Sequence, residues 1–450
     1  MKYRSMPLFL LAPAAACAPT VEPAIAPRLA AAEWRDAGPA GGMELYAGWA
    51  AFGSPELEAL IARARAANAD IAVAAARVVQ ARGQLGVARA AGRPQVTGFA
   101  DARASGTGGE RGFRDNDASL GLDIAYDVDL FGAVGAGRRA ALARLAASRF
   151  DRDAVALAVE GDVARAFVGH AALSARIAIL QRALGNAREF ERIVGVRVRE
   201  GVATKVDSGL QAIEVRRIEA ELSRLTEARA RTGNALAILV GAEAPTFAAS
   251  PPDLGTLTPP AFDPEQPAVL LARRPDVRAA EARIAAAQGD VAGARAAFLP
   301  SLRISAGSLL GTGGGGPLGF ALNAGSSLLA PIFDGGRLRG ALLTARGAQA
   351  ETLEGYRRTL LVALGEAEDA LTGVAQSRVR GELLAGTMTV ARTTARLARR
   401  QYVEGAADLQ TVLDAERRAL DVEDAAAVAA EDRLNAAIDL YRALGGGPAA

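Results

Sequence analysis

Apolar and polar positions alternate along four short stretches of this chain. From Ser119 to Asp129, Leu120, Leu122, Ile124, Tyr126 and Val128 fall on one side; Ser119, Gly121, Asp123, Asp127 and Asp129 fall on the other, with Ala125. Phe320 to Leu329 repeats the scheme, setting Phe320, Leu322, Ala324 and Leu328 against Asn323, Gly325 and Ser327. Leu302, Ile304 and Ala306 oppose Ser301, Arg303 and Ser305. Gln95 to Arg103 is noisier, because Phe99 falls among Gln95, Thr97, Asp101 and Arg103. Successive strand residues point to opposite faces, so the four stretches predict a sheet with one apolar and one polar surface. A soluble sandwich would bury the apolar face against another layer, whereas an outer-membrane barrel would turn it to lipid around a wet lumen. Each run is about ten residues long, which suits a tilted strand crossing ~25 Å of hydrocarbon. The Gly-rich links Ser105 to Gly112 and Gly311 to Gly316 read as exposed loops. Four strands are too few to enclose a lumen, and an open sheet in lipid leaves backbone groups unpaired. A membrane setting therefore requires a symmetric oligomer that pools its strands.

A second period governs the rest. No proline interrupts the chain from Ala133 to Val198, enough for a helix of roughly 100 Å at ~1.5 Å per residue. Val163, His170, Ile177, Leu184, Glu191 and Val198 recur every seven residues, accompanied by Ala166, Leu173, Leu180, Ala187 and Val194. Gly336 to Gln401 is likewise free of proline, with Leu353, Leu360, Ala367 and Val374 at the same interval and Leu364 and Leu371 beside them. A sustained 3.5-residue period means long helices packed side by side in coiled-coil-like geometry. Each ends at a Gly-containing turn, Glu200-Gly201 or Glu404-Gly405, followed by a return helix, Val206 to Val240 or Asp408 to Leu444, the second capped by Asp408.

These elements come twice. Asn68-Ala69-Asp70-Ile71 and Gly92-Arg93-Pro94 are restated by Arg274-Pro275-Asp276-Val277 and Leu299-Pro300, at one offset of 206 residues. Asp129-Leu130-Phe131-Gly132 is echoed by Pro331-Ile332-Phe333-Asp334-Gly335. Residues 56–260 and 261–450 thus read as two structural repeats, each a helix, a β-hairpin and a long helical hairpin. The expected fold class is mixed α and β, mainly α-helical and internally duplicated.

Composition adds exclusions. The net charge is +2 and no basic stripe points to nucleic acid. One Cys and one His leave no disulfide framework and no thiolate–imidazole metal cluster, so no metal and no cofactor is expected. His170, on the packing seam, has no oriented partner for catalysis. Gly313 to Gly316 lacks the Lys-Ser/Thr of a phosphate loop. An enzyme is the remotest reading. At the N-terminus, Lys2 and Arg4 precede a short apolar run, Pro7 to Ala16, so residues 1–16 read as a signal peptide. Ala14-Ala15-Ala16-Cys17 resembles the lipobox of bacterial lipoproteins, which makes Cys17 the expected lipid attachment. Ala18 after it favours the outer membrane over inner-membrane retention. Residues 17–55, Pro- and Ala-rich at the start, read as a lipid-anchored tether.

Leu271-Ala272-Arg273-Arg274-Pro275-Asp276-Val277, Pro331-Ile332-Phe333-Asp334-Gly335-Gly336-Arg337-Leu338, Asp129-Leu130-Phe131-Gly132 and Tyr441-Arg442-Ala443-Leu444-Gly445-Gly446-Gly447 together resemble the outer membrane factors. These are the TolC-like exit ducts of tripartite efflux pumps, and the lipoprotein NodT branch is the nearest in pattern. The resemblance implies a homotrimer whose protomers pool four strands each into one 12-stranded barrel, set on a long periplasmic α-helical barrel. It implies as partners a periplasmic adaptor protein, an inner-membrane pump of resistance-nodulation-division type, and outer-membrane lipid. The hairpin tips, with Gly201, Val202, Ala203, Gly405, Ala406 and Ala407, would meet the adaptor. Asp414 matches an acidic position of the family's periplasmic gate; Thr411 stands where some relatives carry a second Asp, and Asp207 follows Gly201 in a comparable place. Pro275 suits a first helical turn and Asp276 the positive helix end, which gives that motif a structural role. The implied function is passive efflux across the outer membrane. A type I protein-secretion duct would share the architecture, and a periplasmic helical scaffold without a pore is the alternative of another class.

Overall fold

The computed structural model describes Trp34 and residues 45–105, 115–250, 253–260, 273–312 and 317–446. The signal segment, Cys17, most of the tether, the two Gly-rich loop tips, Leu271-Ala272 and Gly447 lie outside them. A short 3-10 stretch, Leu45–Phe52, is followed by α1 (Pro55–Ala67), α2 (Ala69–Ala90), β1 (Gln95–Ser105), β2 (Asp115–Val128), α3 (Ala133–Arg199) and α4 (Lys205–Leu239). The second half repeats the plan as α5 (Pro275–Ala296), β3 (Ser301–Thr312), β4 (Gly319–Leu329), α6 (Arg337–Val403) and α7 (Leu409–Ala443). Matching elements have matching lengths: α2 and α5 have 22 residues, α3 and α6 have 67, and α4 and α7 have 35.

Local chemistry sets the boundaries. Ser54 caps α1 by accepting from the Leu57 amide, with Pro55 in the first turn. Asn68 ends α1 and caps α2 through the amides of Asp70 and Ile71. At the strand-to-helix elbows, Gly132 and Gly336 adopt the left-handed conformation. Asp129 accepts from the amides of Val134 and Gly135, and Asp334 from those of Gly336 and Leu338. Hydrogen bonds from those amides hold the Asp334 carboxyl below its usual range, the one from Leu338 contributing most.

The strands form one antiparallel sheet in the order β1-β2-β3-β4. Directly opposed residues share a face, and the register puts Val96 with Ile124, Leu120 with Leu310 and Leu310 with Phe320. That face is mainly apolar, with Ser308 and Ser326 set among its residues. The other face carries Asp101, Asp123, Asn323, Asp127 and Arg303. Phe99, the anomaly in the pattern, lies on the polar face over Gly121, where a Cβ would sit 2.5 Å from its ring. Among the described residues no helix or second sheet covers the apolar face: Leu122, Phe320 and Leu322 are exposed. The sandwich expectation would bury this face under a second layer, and none of the described elements supplies one.

The main core lies where the helices of both halves meet. Trp49, Phe52 and Leu57 pack with Phe167 of α3, Leu236 of α4 and Ile438 of α7; fully burying each such side chain contributes about 1.5–3 kcal/mol. The last part of the stretch read as a tether is therefore fixed in the core. Trp49 Nε1 and Arg65 both donate to the buried Glu160 carboxylate. The halves also repeat a join. The Asn68 side chain donates to the Leu239 carbonyl at the end of α4; Arg274 donates to the Ala443 carbonyl at the end of α7 while binding Asp276 and Glu366. Asp276 also accepts from the Val277 amide in the first turn of α5, and Arg274 ties that turn to α6 and α7.

Candidate functional site

The two hairpin tips are built alike. At the end of α3, Gly201 takes φ 75°, and the amides of Val202 and Ala203 return to the Arg197 carbonyl at 2.9 and 3.2 Å. At the end of α6, Gly405 takes φ 80°, and the Ala406 amide reaches the Gln401 carbonyl at 2.7 Å. Only glycine adopts this conformation without cost, and the returned amides satisfy carbonyls that a helix end leaves open. Gly201, Val202, Gly405 and Ala406 are exposed, while Ala203 and Ala407 are half-buried.

Thr204 and Asp207 form a reciprocal cap on α4. The Asp207 amide donates to the Thr204 hydroxyl, and Asp207 accepts at 2.8 Å from both the Thr204 amide and its hydroxyl. Asp408 caps α7 by accepting from the Thr411 amide at 2.7 Å, and the Thr411 hydroxyl first, then this amide, hold its carboxyl below the usual range. The return helices begin in register, so Asp207 is the counterpart of Thr411, and the counterpart of Asp414 is Leu210. Asp414 is exposed and pairs at 3.0 Å with Arg418, one turn along.

Sequence reasoning missed the clasp between the two hairpins. Arg197 of α3 donates to the Tyr402 carbonyl of α6 at 2.5 Å and lies over the Tyr402 ring at 4.4 Å. Tyr402 meets Phe190 edge-on at 5.2 Å, and Arg399 covers the Phe190 ring. Higher up, Arg417 of α7 binds Glu214 of α4, Arg176 of α3 binds Asp424 of α7 with two hydrogen bonds, and Arg392 of α6 holds Glu423. Burial opposes ionisation of Glu214, but hydrogen bonds from Arg217 and Arg417 outweigh it and lower its pKa. Glu416, in the same groove, is pushed up, chiefly by burial; Arg399 counteracts the shift and Glu214 adds to it. The clasp residues are long-range pairs without a motif, and the sole sequence signal is an aromatic–arginine set just before each turn. His170 is buried beside Gly233, with its pKa lowered by burial and then by Arg229. Among the described residues no group of His, Cys, Asp and Glu could hold a metal.

A duplicated chain with a four-stranded sheet at one end and two 67-residue helices turning back at the other has the fold of the TolC-like channels. The structure of the outer-membrane channel OprN matches with a TM-score of 0.86 at 28% identity, covering 94% of this chain and 98% of that one. The outer membrane protein VceC from Vibrio cholerae matches with a TM-score of 0.80 at 27% identity, over 89% of this chain and 98% of that one. The family model for outer membrane efflux proteins matches residues 60–242 and 267–446, and the chain belongs to that family. Its similarity to the pyoverdine export outer membrane protein OpmQ of Pseudomonas aeruginosa is 34% identity over 446 residues, 96% of this chain and 94% of that protein.

Proposed function

We propose that three copies of this chain form an outer-membrane exit duct for small solutes, a homotrimer whose strands close one 12-stranded barrel above a hollow helical barrel in the periplasm. One observation carries the reading: among the described residues the sheet leaves its apolar face and both edge strands uncovered, in a chain of an outer membrane efflux family. Lipid would cover the face, and neighbouring copies would pair the edges, which satisfies the backbone without an open rim. Exposed Val206, Ile213 and Ile238 on α4, and Leu343, Leu383 and Val390 on α6, support a helical wall that also continues into neighbouring copies.

A periplasmic adaptor would dock on the tips around Gly201 to Ala203 and Gly405 to Ala407, linking the duct to an inner-membrane pump of resistance-nodulation-division type. Cys17 would carry the lipid anchor. Asp414 and Thr411 would line the periplasmic mouth, three acidic groups favouring cations there, with Arg418 tempering the charge; Asp207 serves the α4 cap instead. The likeness to OpmQ supports a small exported solute of the pyoverdine kind over a secreted protein as cargo. Opening shifts an equilibrium that adaptor binding biases through differential contacts. Conductance of detergent-purified protein in planar bilayers tests the duct; verified trimers without pores refute it. Co-purification of an adaptor tests the partner.

A further inference from the structure

Resting on the duct reading, we infer that the wet face of the barrel carries a binding track for solutes that join a planar apolar group to a cation. Phe99 and Leu309 are its apolar contacts and Asp123 its anionic one. The polar face of the sheet is not polar throughout. Phe99 opposes Gly121, Gly121 opposes Leu309 and Leu309 opposes Ala321, so one rung crosses all four strands without a polar side chain. The rungs beside it suit a wet surface: Thr97, Asp123, Gly307 and Asn323 toward the helices, and Asp101, Ser119, Gly311 and Gly319 toward the loops. Lipid does not account for Phe99 and Leu309, because alternation sets them on the face opposite Leu122 and Phe320.

Two glycines shape the track. A Cβ on Gly121 would lie 2.5 and 2.8 Å from Cζ and Cε1 of Phe99, so the ring fills the space that a side chain there would take. Gly121 is buried beneath it, whereas the other described positions of the sheet are exposed or half-buried. The Phe99 ring therefore lies along the wall with one side on the glycine and the other toward the lumen. Leu309, across Gly121 from it, is 41% exposed. On the next rung a Cβ on Gly307 would lie 2.4 Å from Asn323 Oδ1 and 2.8 Å from Asp123 Oδ1, so both polar groups lean over that glycine. Same-face rungs are roughly 7 Å apart along a strand, within reach of a cation joined to a ring by a short link.

Closure turns the rung into an incline. Barrel strands tilt by roughly 35–45° from the axis, so a rung perpendicular to them climbs the wall instead of closing as a flat ring. Each copy supplies one rung of about 14 Å, from three inter-strand steps of ~4.8 Å, and three copies set three such tracks around the lumen. A solute moving along one exchanges Phe99 for Leu309 without leaving the wall. Each contact is weak, which suits a conduit, since what enters must also leave. The negative face of the aromatic ring and the Asp123 carboxylate both favour a cation over an anion.

The test records current through full-length trimers in planar bilayers and titrates benzyltrimethylammonium, tetramethylammonium or benzoate into the bath. Benzyltrimethylammonium, which alone has both the ring and the positive charge, is expected to halve the current at the lowest concentration. Phe99→Ala combined with Leu309→Ala is expected to raise that concentration about tenfold, the scale of one aromatic contact, and to leave the tetramethylammonium value unchanged. Asp123→Asn is expected to raise the values of both ammonium ions. Leu309→Ala alone trims an exposed side chain, so its smaller effect is read in a protein whose packing is untouched. Equal values for the two ammonium ions, block by benzoate as strong as by benzyltrimethylammonium, or no change in the double-alanine variant overturns the track and leaves the duct standing. Verified trimers that pass no current overturn the duct, and the track with it.

Discussion

Replacing Arg197 by alanine should open the duct. Its guanidinium joins the tip of the α3–α4 hairpin to the last turn of α6 by both a hydrogen bond to the Tyr402 carbonyl and a cation–π contact with its ring. A hydrogen bond from a charged donor contributes about 1.5–3 kcal/mol and a partly desolvated cation–π contact about 0.5–2. Solvent reaches this region, so the lower part of each range applies, roughly 2 kcal/mol together. If the hairpins part on opening, the closed arrangement loses all of it and the open one none. The open-to-closed ratio then rises about 30-fold, since ~1.4 kcal/mol corresponds to a factor of ten. Single-channel recording of purified trimers measures that ratio directly, and Arg197→Lys, which keeps a donor but loses the planar stacking, should fall between. An unchanged ratio in Arg197→Ala trimers with unaltered thermal melting would refute the clasp as the element that holds the mouth shut.

Three further outcomes follow from other joins. Arg274→Ala removes a buried guanidinium from Asp276, Glu366 and the Ala443 carbonyl; a loss of about 2–4 kcal/mol is expected as a lower detergent melting temperature, only partly restored by lysine. Glu160→Ala leaves Trp49 Nε1 and Arg65 without their acceptor, so the N-terminal stretch should loosen, seen as red-shifted Trp fluorescence and faster proteolysis before Ser54. Glu416 has a raised pKa in the folded chain, so the fold favours its protonated form. That contribution is complete below the ordinary glutamate pKa and fades as pH rises through the raised value. Glu416→Gln should therefore stabilise the trimer near neutral pH and make no difference in acid, and a stabilisation independent of pH would sink the assignment.

Much of the fold was legible because period reports burial. The heptad seam named Val163, His170, Ile177 and Leu184, all of which are buried. The absence of proline set the long helices to within two residues, and Gly201 and Gly405 marked both turns. The site was less legible. Spacing put Asp207 beside the turn, but sequence spacing cannot tell a helix-capping carboxylate from a free one. Arg197, Tyr402, Glu214 and Arg417 were invisible, since each pairs with a residue from another helix and no local pattern records such a partner.

What the sequence by itself determined is which residues are helical, which are strand, and that the plan occurs twice, because periodicity, caps and glycine turns act within a few residues of chain. Only the tertiary structure decided that none of the described elements covers the apolar face of the sheet, that α5 is packed on two sides where α2 is packed on one, and that arginines bind one hairpin to the other. Those are facts about neighbours brought together from distant parts of the chain, and burial and pairing at that range depend on where whole helices come to rest.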